Sequence, residues 1–338
     1  MIRLLAIETS CDETACAVVE SSGTFDSVLL KSSIVSSQID LHSSFGGVVP
    51  EVASRAHLER IGTVTELALK KGDVALKDID VVAATIGPGL IGALLVGVSA
   101  AKALAFCLDI PFVGVNHLEG HLFAPFLESE NSIELPAIVL LVSGGHTLLL
   151  EMKSPGKYRL IGETVDDACG EAFDKVARGL GLGYPGGPEI DRASLSGDEN
   201  SVKFPKTLVS GTMNFSFSGI KTSVIRYLEK NRSAKVEDVA ASFRKTVVDS
   251  LIERLDVGSD EVGAKSIILG GGVAANSLLR NRALELGARK GIPVKLPPKE
   301  NCTDNAAMIG AAGMFKYLNG DLSDLYVGAN SSLKMRFQ

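Results

Sequence analysis

Three short loops constrain this chain more than any other feature. Each follows an aliphatic run and is built from glycine, hydroxyl and other polar or small residues. They are Ile7-Glu8-Thr9-Ser10-Cys11-Asp12, Leu141-Val142-Ser143-Gly144-Gly145-His146-Thr147 and Ile268-Leu269-Gly270-Gly271-Gly272-Val273-Ala274-Ala275-Asn276. The aliphatic runs read as buried strands. Glycine lets backbone N–H groups approach an anion, and hydroxyls add donors. One such loop is an ordinary turn. Three in order along one chain predict an α/β protein whose backbone holds a phosphate-bearing ligand. A helix starting just after Gly272 would aim its positive end at a nucleotide.

The rest of the pattern extends this reading to two lobes. At 338 residues the chain exceeds the usual size of one core. Strands are expected at 4–8, 15–20, 28–35, 79–86, 112–115, 137–142, 147–152, 266–269 and 293–296. Helices are expected at 55–70, 91–108, 168–180 and 275–290, with two more within 219–255 and a last one at 304–318. The stretch 181–188 reads as a Gly/Pro-rich loop. The strand–turn–strand unit at 137–152 resembles the one at 4–20, which suggests a restart of the pattern. The expected division is a first lobe of 1–116 plus 311–338 and a second lobe of 117–310.

Composition excludes several classes. The net charge of −6 does not support nucleic-acid binding by global electrostatics. A local rim of Lys175, Arg178, Lys203, Lys206, Lys221 and Arg226, or a partner, would have to supply phosphate contacts. Five scattered cysteines without CxxC spacing argue against a disulfide framework or a zinc knuckle. The apolar start at 1–7 is too short for a signal peptide. The longest apolar stretch, 91–108, is rich in Gly and Ala, carries Lys102 and reads as a buried helix. The expectation is a cytoplasmic protein that does not enter membranes.

His117 and His121 stand i, i+4, so on a helix both imidazoles share one face and can share a metal. A half-exposed helix surface gives the same spacing. A zincin needs Glu directly after its first His, and an inverzincin needs Glu directly before its second. Glu119 is two residues from each, on another face, which argues against proteolysis. Glu8, Asp12 and Glu13 crowd one turn, where like charges raise a pKa or bind a cation. His42 and His57 flank Gly46-Gly47, and His57 reads as a helix-face residue. His146 either donates to an anion or caps its turn. Asn276 either contacts a base or ribose or caps a helix. Asp174 and Asp191, on either side of the 181–188 loop, read alone as solvated helix charges.

These motifs carry a family resemblance. The three loops resemble the two phosphate segments and the adenosine segment of the superfamily of actin, hsp70 chaperones and sugar kinases. Ile7 to Thr14, Gly46-Gly47-Val48-Val49-Pro50-Glu51-Val52-Ala53-Ser54-Arg55 and Asn116-His117-Leu118-Glu119-Gly120-His121 look like motifs of the universal tRNA threonylcarbamoyladenosine-forming enzymes. So do Gly170-Glu171-Ala172-Phe173-Asp174-Lys175 and Tyr184-Pro185-Gly186-Gly187-Pro188 with Asp191. Phe217-Ser218-Gly219-Ile220-Lys221-Thr222 and Cys302-Thr303-Asp304-Asn305-Ala306-Ala307-Met308 complete the set. His146 and Leu141 match the bacterial branch, whose archaeal and eukaryotic relatives carry Asn and Tyr there.

The resemblance implies a two-lobed actin/hsp70-like ATPase fold with a central cleft. It implies transfer of a threonylcarbamoyl group from threonylcarbamoyl-AMP to N6 of adenosine 37, in tRNAs reading codons that begin with A. It supplies Asp304 as a third ligand beside His117 and His121 for one Fe2+ or Zn2+ ion. It assigns Leu141, Val142, Ser143, Gly144, Gly145, Asp174, Gly187, Asp191 and Asn276 to the adenine nucleotide, threonylcarbamoyl-AMP or ATP. It places the turn with Asp12 and Glu13 at the reaction centre, with Ser143 stabilising charge at the acyl-phosphate. The expected partners are tRNA, a catalytically silent paralogue (TsaB) and a small ATPase (TsaE), with a homodimer in isolation. Contact with the paralogue is expected through the small-residue helix at 91–108. Two other classes stay open: a sugar or acyl kinase, which needs no His pair, and a non-catalytic ATP-binding scaffold, which would be expected to lose the metal set.

Overall fold

A computed structural model describes all residues except 25–27, 44, 46, 128–132 and 338, and the side chain of Ser43. Gly46 of the Gly46-Gly47 motif therefore lies outside the described residues. The chain divides into two compact units, Met1–Ser132 with Thr303–Arg336 and a second centred on Ile133–Cys302.

Unit 1 is built on a sheet of β1 (Ile2–Glu8), β2 (Glu13–Ser21), β3 (Leu29–Ser37), β4 (Val81–Gly87) and β5 (Phe112–Asn116). Its order is β3-β2-β1-β4-β5. The first three strands form an antiparallel meander, and β4 and β5 add parallel to β1. The parallel strands are buried on both faces, which is why they read as continuous apolar runs rather than alternating ones. On one face Leu5, Ile7, Val18 and Val82 pack with Val64 and Ala68 of α2 (Pro50–Gly72) and with Ala101 and Ala105 of α3 (Ile91–Leu108). The short α1 (Ile39–Ser43) precedes α2. α10 (Ala306–Leu318) packs against β1, β2, β4 and β5, and against α4 (His117–Phe123).

Unit 2 repeats the plan. Its strands are β6 (Ala137–Val142), β7 (Thr147–Ser154), β8 (Lys157–Glu163), β9 (Ser266–Gly270) and β10 (Val294–Lys295). The order β8-β7-β6-β9-β10 matches β3-β2-β1-β4-β5 strand for strand, again with an antiparallel meander and two parallel additions. α5 (Cys169–Gly179), α6 (Gly186–Ala193), α7 (Ser218–Lys230), α8 (Val236–Glu261) and α9 (Ser277–Lys290) bury a core that includes Val142, Phe173, Phe215, Phe243 and Leu269. The restart seen at 137–152 is thus one part of a repeated topology.

Several expectations are corrected. The boundaries lie at 132/133 and 302/303 rather than 116/117 and 310/311, because α4 packs on α10. That contact moves His117, His121 and Asp304 into unit 1. β8 was not read from the sequence, since the alternation of Lys157, Tyr158, Arg159 and Leu160 is broken by Ile161 and Gly162. Residues 186–188 of the expected loop form the first turn of α6, where a Pro costs nothing because first-turn N–H groups have no helical partner. α9 starts at Ser277 and not after Gly272, because a 3₁₀ turn at Gly272–Ala275 intervenes. α3 is half-exposed rather than buried, with Phe106 at 74% and Leu95 at 50%. By length and composition alone it is long and apolar enough to cross a membrane, and it is the only such helix among the described residues.

Candidate metal centre and nucleotide loops

α4 begins directly at the end of β5. Asn116 caps it, its side-chain oxygen accepting the Leu118 N–H at 2.9 Å. A helix started at that point turns residues 117 and 121 inward together, and both histidines are buried. Their rings meet edge-on with centroids 4.8 Å apart. Asp304 arrives from the other end of the sequence. It lies just before α10, whose cap is Asn305, accepting the Met308 N–H at 3.0 Å. Asp304 Oδ1 stands 3.4 Å from His117 Nε2 and 3.2 Å from His121 Nε2. The three donor atoms all lie within 4.8 Å of one another, and this is the only such group among the described residues.

The residues fit a divalent ion. Neither ring nitrogen of His121 makes a hydrogen bond, although the side chain is 1% exposed. Its Nε2 faces Asp304 Oδ1 at 3.2 Å without making that bond, a placement that a cation held by both satisfies. Two donors at about 2.0–2.1 Å from a tetrahedral ion sit roughly 3.3–3.4 Å apart, close to both His–Asp separations. Two imidazoles and one carboxylate leave positions open for substrate oxygens and suit Fe or Zn. The surroundings are strongly negative. Burial opposes a charge on Asp304, yet His117 and His121 hold its carboxyl well below the usual carboxylate range. Burial, then the charges of Asp304 and Asp12, push the Glu13 carboxyl up to about 10. Glu119 has Lys316, Asp321 and Arg336 as its charged neighbours, so it does not serve this cluster.

Glu8 stands behind His117, a position that sequence reading missed. Its Oε2 is 3.1 Å from His117 Nδ1 and accepts the Thr85 hydroxyl at 2.6 Å. Its Oε1 accepts the Ser10 N–H at 2.5 Å. Only the register of β1 beside β4 reveals it, because Thr85 lies 77 residues away. The turn it closes is braced from the next loop, where the Leu90 N–H donates to the Ser10 carbonyl at 2.8 Å. Asp12 is buried, and its carbonyl accepts the Gln38 N–H at 3.0 Å. His57 is not a free helix-face residue. It is fully buried, with Nε2 2.9 Å from the Cys11 carbonyl and Nδ1 2.8 Å from the Thr14 hydroxyl.

Unit 2 brings the other predicted residues into three groups. In the β6–β7 turn the Ser143 N–H donates to the His146 carbonyl at 2.8 Å, and the Ser143 hydroxyl accepts the His146 N–H at 3.1 Å. Both bonds use the backbone of His146. Ser143 cannot offer its amide to a ligand, and the exposed Gly144 and Gly145 remain as candidates. Leu141 and Val142 are 0% exposed core residues, so their side chains are not ligand groups. Asp174 accepts the Gly186 N–H at 2.7 Å, and burial raises its carboxyl. A Cβ on Gly187 would meet nothing within 4 Å, so there is open space above it.

In the third group, Gly271 takes φ +85°, and a Cβ there would come 2.3 Å from the Val142 carbonyl oxygen. Only glycine closes that turn. Asn276 caps α9, accepting the Leu279 N–H at 3.1 Å, which favours the cap over the base contact for its oxygen. Asp191 is taken up by Arg244 at 2.8 Å and by the Ser277 hydroxyl and N–H at 3.0 and 3.2 Å. Three of the six rim residues are in ion pairs: Lys175 with Asp167 and Glu171, Lys221 with Asp167, and Lys206 with Glu253.

A family model for tRNA N6-adenosine threonylcarbamoyltransferase (TsaD) matches residues 30–311. The chain is 50% identical to the tRNA N6-adenosine threonylcarbamoyltransferase of Clostridioides difficile (strain 630), covering 99% of this chain and 98% of that one. It is 49% identical to the enzyme of the same name from Synechococcus sp. (strain JA-3-3Ab), covering 99% and 93%. Among solved structures, HypF of T. kodakarensis is similar with a TM-score of 0.63 at 15% identity over 94% of this chain. The chain spans 48% of HypF. The activator of 2-hydroxyisocaproyl-CoA dehydratase from Clostridium difficile, with bound ADPNP, gives 0.52 at 15% identity, covering 94% and 96%. These structural likenesses show the actin/hsp70-like ATPase fold.

Proposed function

The chain belongs to the tRNA N6-adenosine threonylcarbamoyltransferase family and is a transferase that acts in tRNA modification; from that premise we propose that it moves a threonylcarbamoyl group from threonylcarbamoyl-AMP to N6 of adenosine 37. The tRNAs are those that read codons beginning with A, and AMP is released. The observation that carries the reading is the His117–His121–Asp304 cluster, in which neither ring nitrogen of the buried His121 makes a hydrogen bond. A kinase of this fold has no use for such a cluster, and a silent scaffold has no reason to keep it.

The AMP half resembles ATP, and the ADPNP held by the dehydratase activator supports a nucleotide in this fold. Candidates for holding it are the Gly144 and Gly145 amides, Asp174 with the open space above Gly187, and the turn at Gly271. Exposed amides beside the acyl-phosphate also suit developing negative charge. A divalent ion on His117, His121 and Asp304, Fe2+ or Zn2+, would supply Lewis acidity toward the threonylcarbamoyl oxygens. Asp12 and Glu13 share the adjoining turn. The pair is the candidate for taking the proton that leaves N6 as the C–N bond forms.

Partners follow from the surface. Leu95 and Phe106 expose apolar area on α3, and the charge balance leaves tRNA to be held with help. A TsaB-like paralogue on α3 and a TsaE-like ATPase are the expected helpers. The test incubates the protein and both helpers with ATP, threonine, bicarbonate, the upstream adenylate-forming enzyme and unmodified tRNA. Nucleoside analysis is expected to show threonylcarbamoyladenosine, and its absence overturns the reading.

A further inference from the structure

We propose that Glu8 is a positioning residue that fixes the tautomer of His117, so that the Nε2 lone pair faces Asp304 and His121. The inference rests on the metal reading of that cluster and adds a residue to it. The argument is one of donors and acceptors. His117 Nδ1 has two neighbours at 3.1 Å, Glu8 Oε2 and Ser10 Oγ. A hydroxyl donates or accepts, so Ser10 alone leaves both tautomers open. An ionised carboxylate only accepts. Glu8 therefore selects the proton on Nδ1, so that in the neutral ring Nε2 is the bare nitrogen, on the side of Asp304, 3.4 Å away.

Glu8 is itself held. Its side chain is 1% exposed, and both oxygens are engaged, Oε1 by the Ser10 N–H and Oε2 by Thr85 as well as His117. The carboxylate cannot rotate away without breaking these bonds. The chain Thr85–Glu8–His117 thus crosses from β4 through the end of β1 to α4. Carboxylate–imidazole–metal arrangements of this kind orient the ring and raise its basicity as a ligand. His121 has no such partner on its Nδ1. His117 is therefore the pre-oriented ligand of the pair.

Glu8→Gln tests the inference with metal binding as the readout. The amide keeps the size but turns one oxygen into an NH2. That group must face a donor, either the Ser10 N–H or the His117 and Thr85 side. Zn2+ affinity, measured by competition with a chromophoric chelator, is expected to fall roughly 10- to 100-fold, the usual cost of losing such a partner. The visible spectrum of the Co2+-loaded protein is expected to change with it. Ser10→Ala is expected to stay within about threefold of the original affinity, because the carboxylate still fixes the proton.

A Glu8→Gln protein that binds Zn2+ as tightly as the original overturns the proposal. So does a variant that loses melting temperature in chelator but keeps its affinity, the signature of a purely structural tie. If Glu8→Gln does not fold, Glu8→Asp serves, being one methylene too short to reach His117 while staying ionised; unaltered affinity there also overturns the proposal. Failure of the original protein to bind Zn2+ or Co2+ would instead sink the metal reading itself.

Discussion

His121 is buried among atoms that give it no hydrogen bond, and that single fact sets the first prediction. His121→Ala is expected to cost at least as much metal affinity as loss of a supporting partner, on the order of 100-fold or more. Metal content after dialysis against a weak chelator, read by elemental analysis, checks it; full occupancy would remove His121 from the site. A second prediction concerns His57. Burial lowers its pKa from the ordinary 6.5, against the pull of the Cys11 carbonyl, Glu8 and Asp12. The unfolded chain then binds more protons than the folded one below about pH 6.5, so stability is full above that value and is lost as pH falls. His57→Gln is expected to flatten the acid side of the melting-temperature profile measured in chelator. An unchanged slope would assign the acid loss elsewhere. Spacing alone carried the i, i+4 pair, whereas Glu8 was legible only as one of three crowded acids, and its place behind His117 and the buried partners of His57 were not. Thr85 lies 77 residues from Glu8, and Cys11 and Thr14 lie 46 and 43 from His57, so only the folded arrangement brings them together.

At the level of elements, α5 and α6 show how two adjacent glycines differ. A Cβ on Gly186 would meet Asp174 Cα at 2.6 Å and Ala177 Cβ at 2.7 Å, so α6 seats directly on α5. Gly187 faces open space. Gly186→Ala is expected to destabilise the protein by about 1–3 kcal/mol through overpacking. Gly187→Ala is expected to leave stability level or raise it by up to about 1 kcal/mol. Thermal melting separates the two. If the space above Gly187 holds the nucleotide, Gly187→Ala also raises the KM for the adenylate donor, and an unaltered KM removes it from the nucleotide reading. Elements with long aliphatic runs, β1, β4, β6 and β9, were legible because burial on both faces leaves little else a strand can be made of. α6 was not, since its Gly-Gly-Pro start is loop chemistry that a first helical turn also accepts. Leu141, Val142 and Asp191 were assigned to a ligand by resemblance, whereas a sheet core and the Arg244 pair occupy their side chains.

For the whole molecule, the repeated strand order explains why three loops of one design occur in one chain. The β1–β2 and β6–β7 turns are equivalent positions of a duplicated plan, and the Gly271 turn follows β9 as the Pro88 loop follows β4. That duplication was visible only as one strand–turn–strand echo, because the helices between strands differ in length and number. The exposed face of α3 carries the prediction at this scale. Leu95→Glu with Phe106→Glu is expected to abolish co-elution with the silent paralogue in size-exclusion chromatography and to leave metal affinity unchanged. A complex that survives both charges would move the interface elsewhere.

The placement of Asp304 has one more consequence. Unit 1 is interrupted by all of unit 2, and two ligands precede the interruption while the third follows it. Ribosomes deliver residues in order, at roughly 5–20 per second, and domains close as units. The inserted unit can therefore mature while its host still lacks a sheet-covering helix and a carboxylate. During translation the nascent chain carries both imidazoles without their acid, so metal capture waits until α10 has emerged and closed over the sheet.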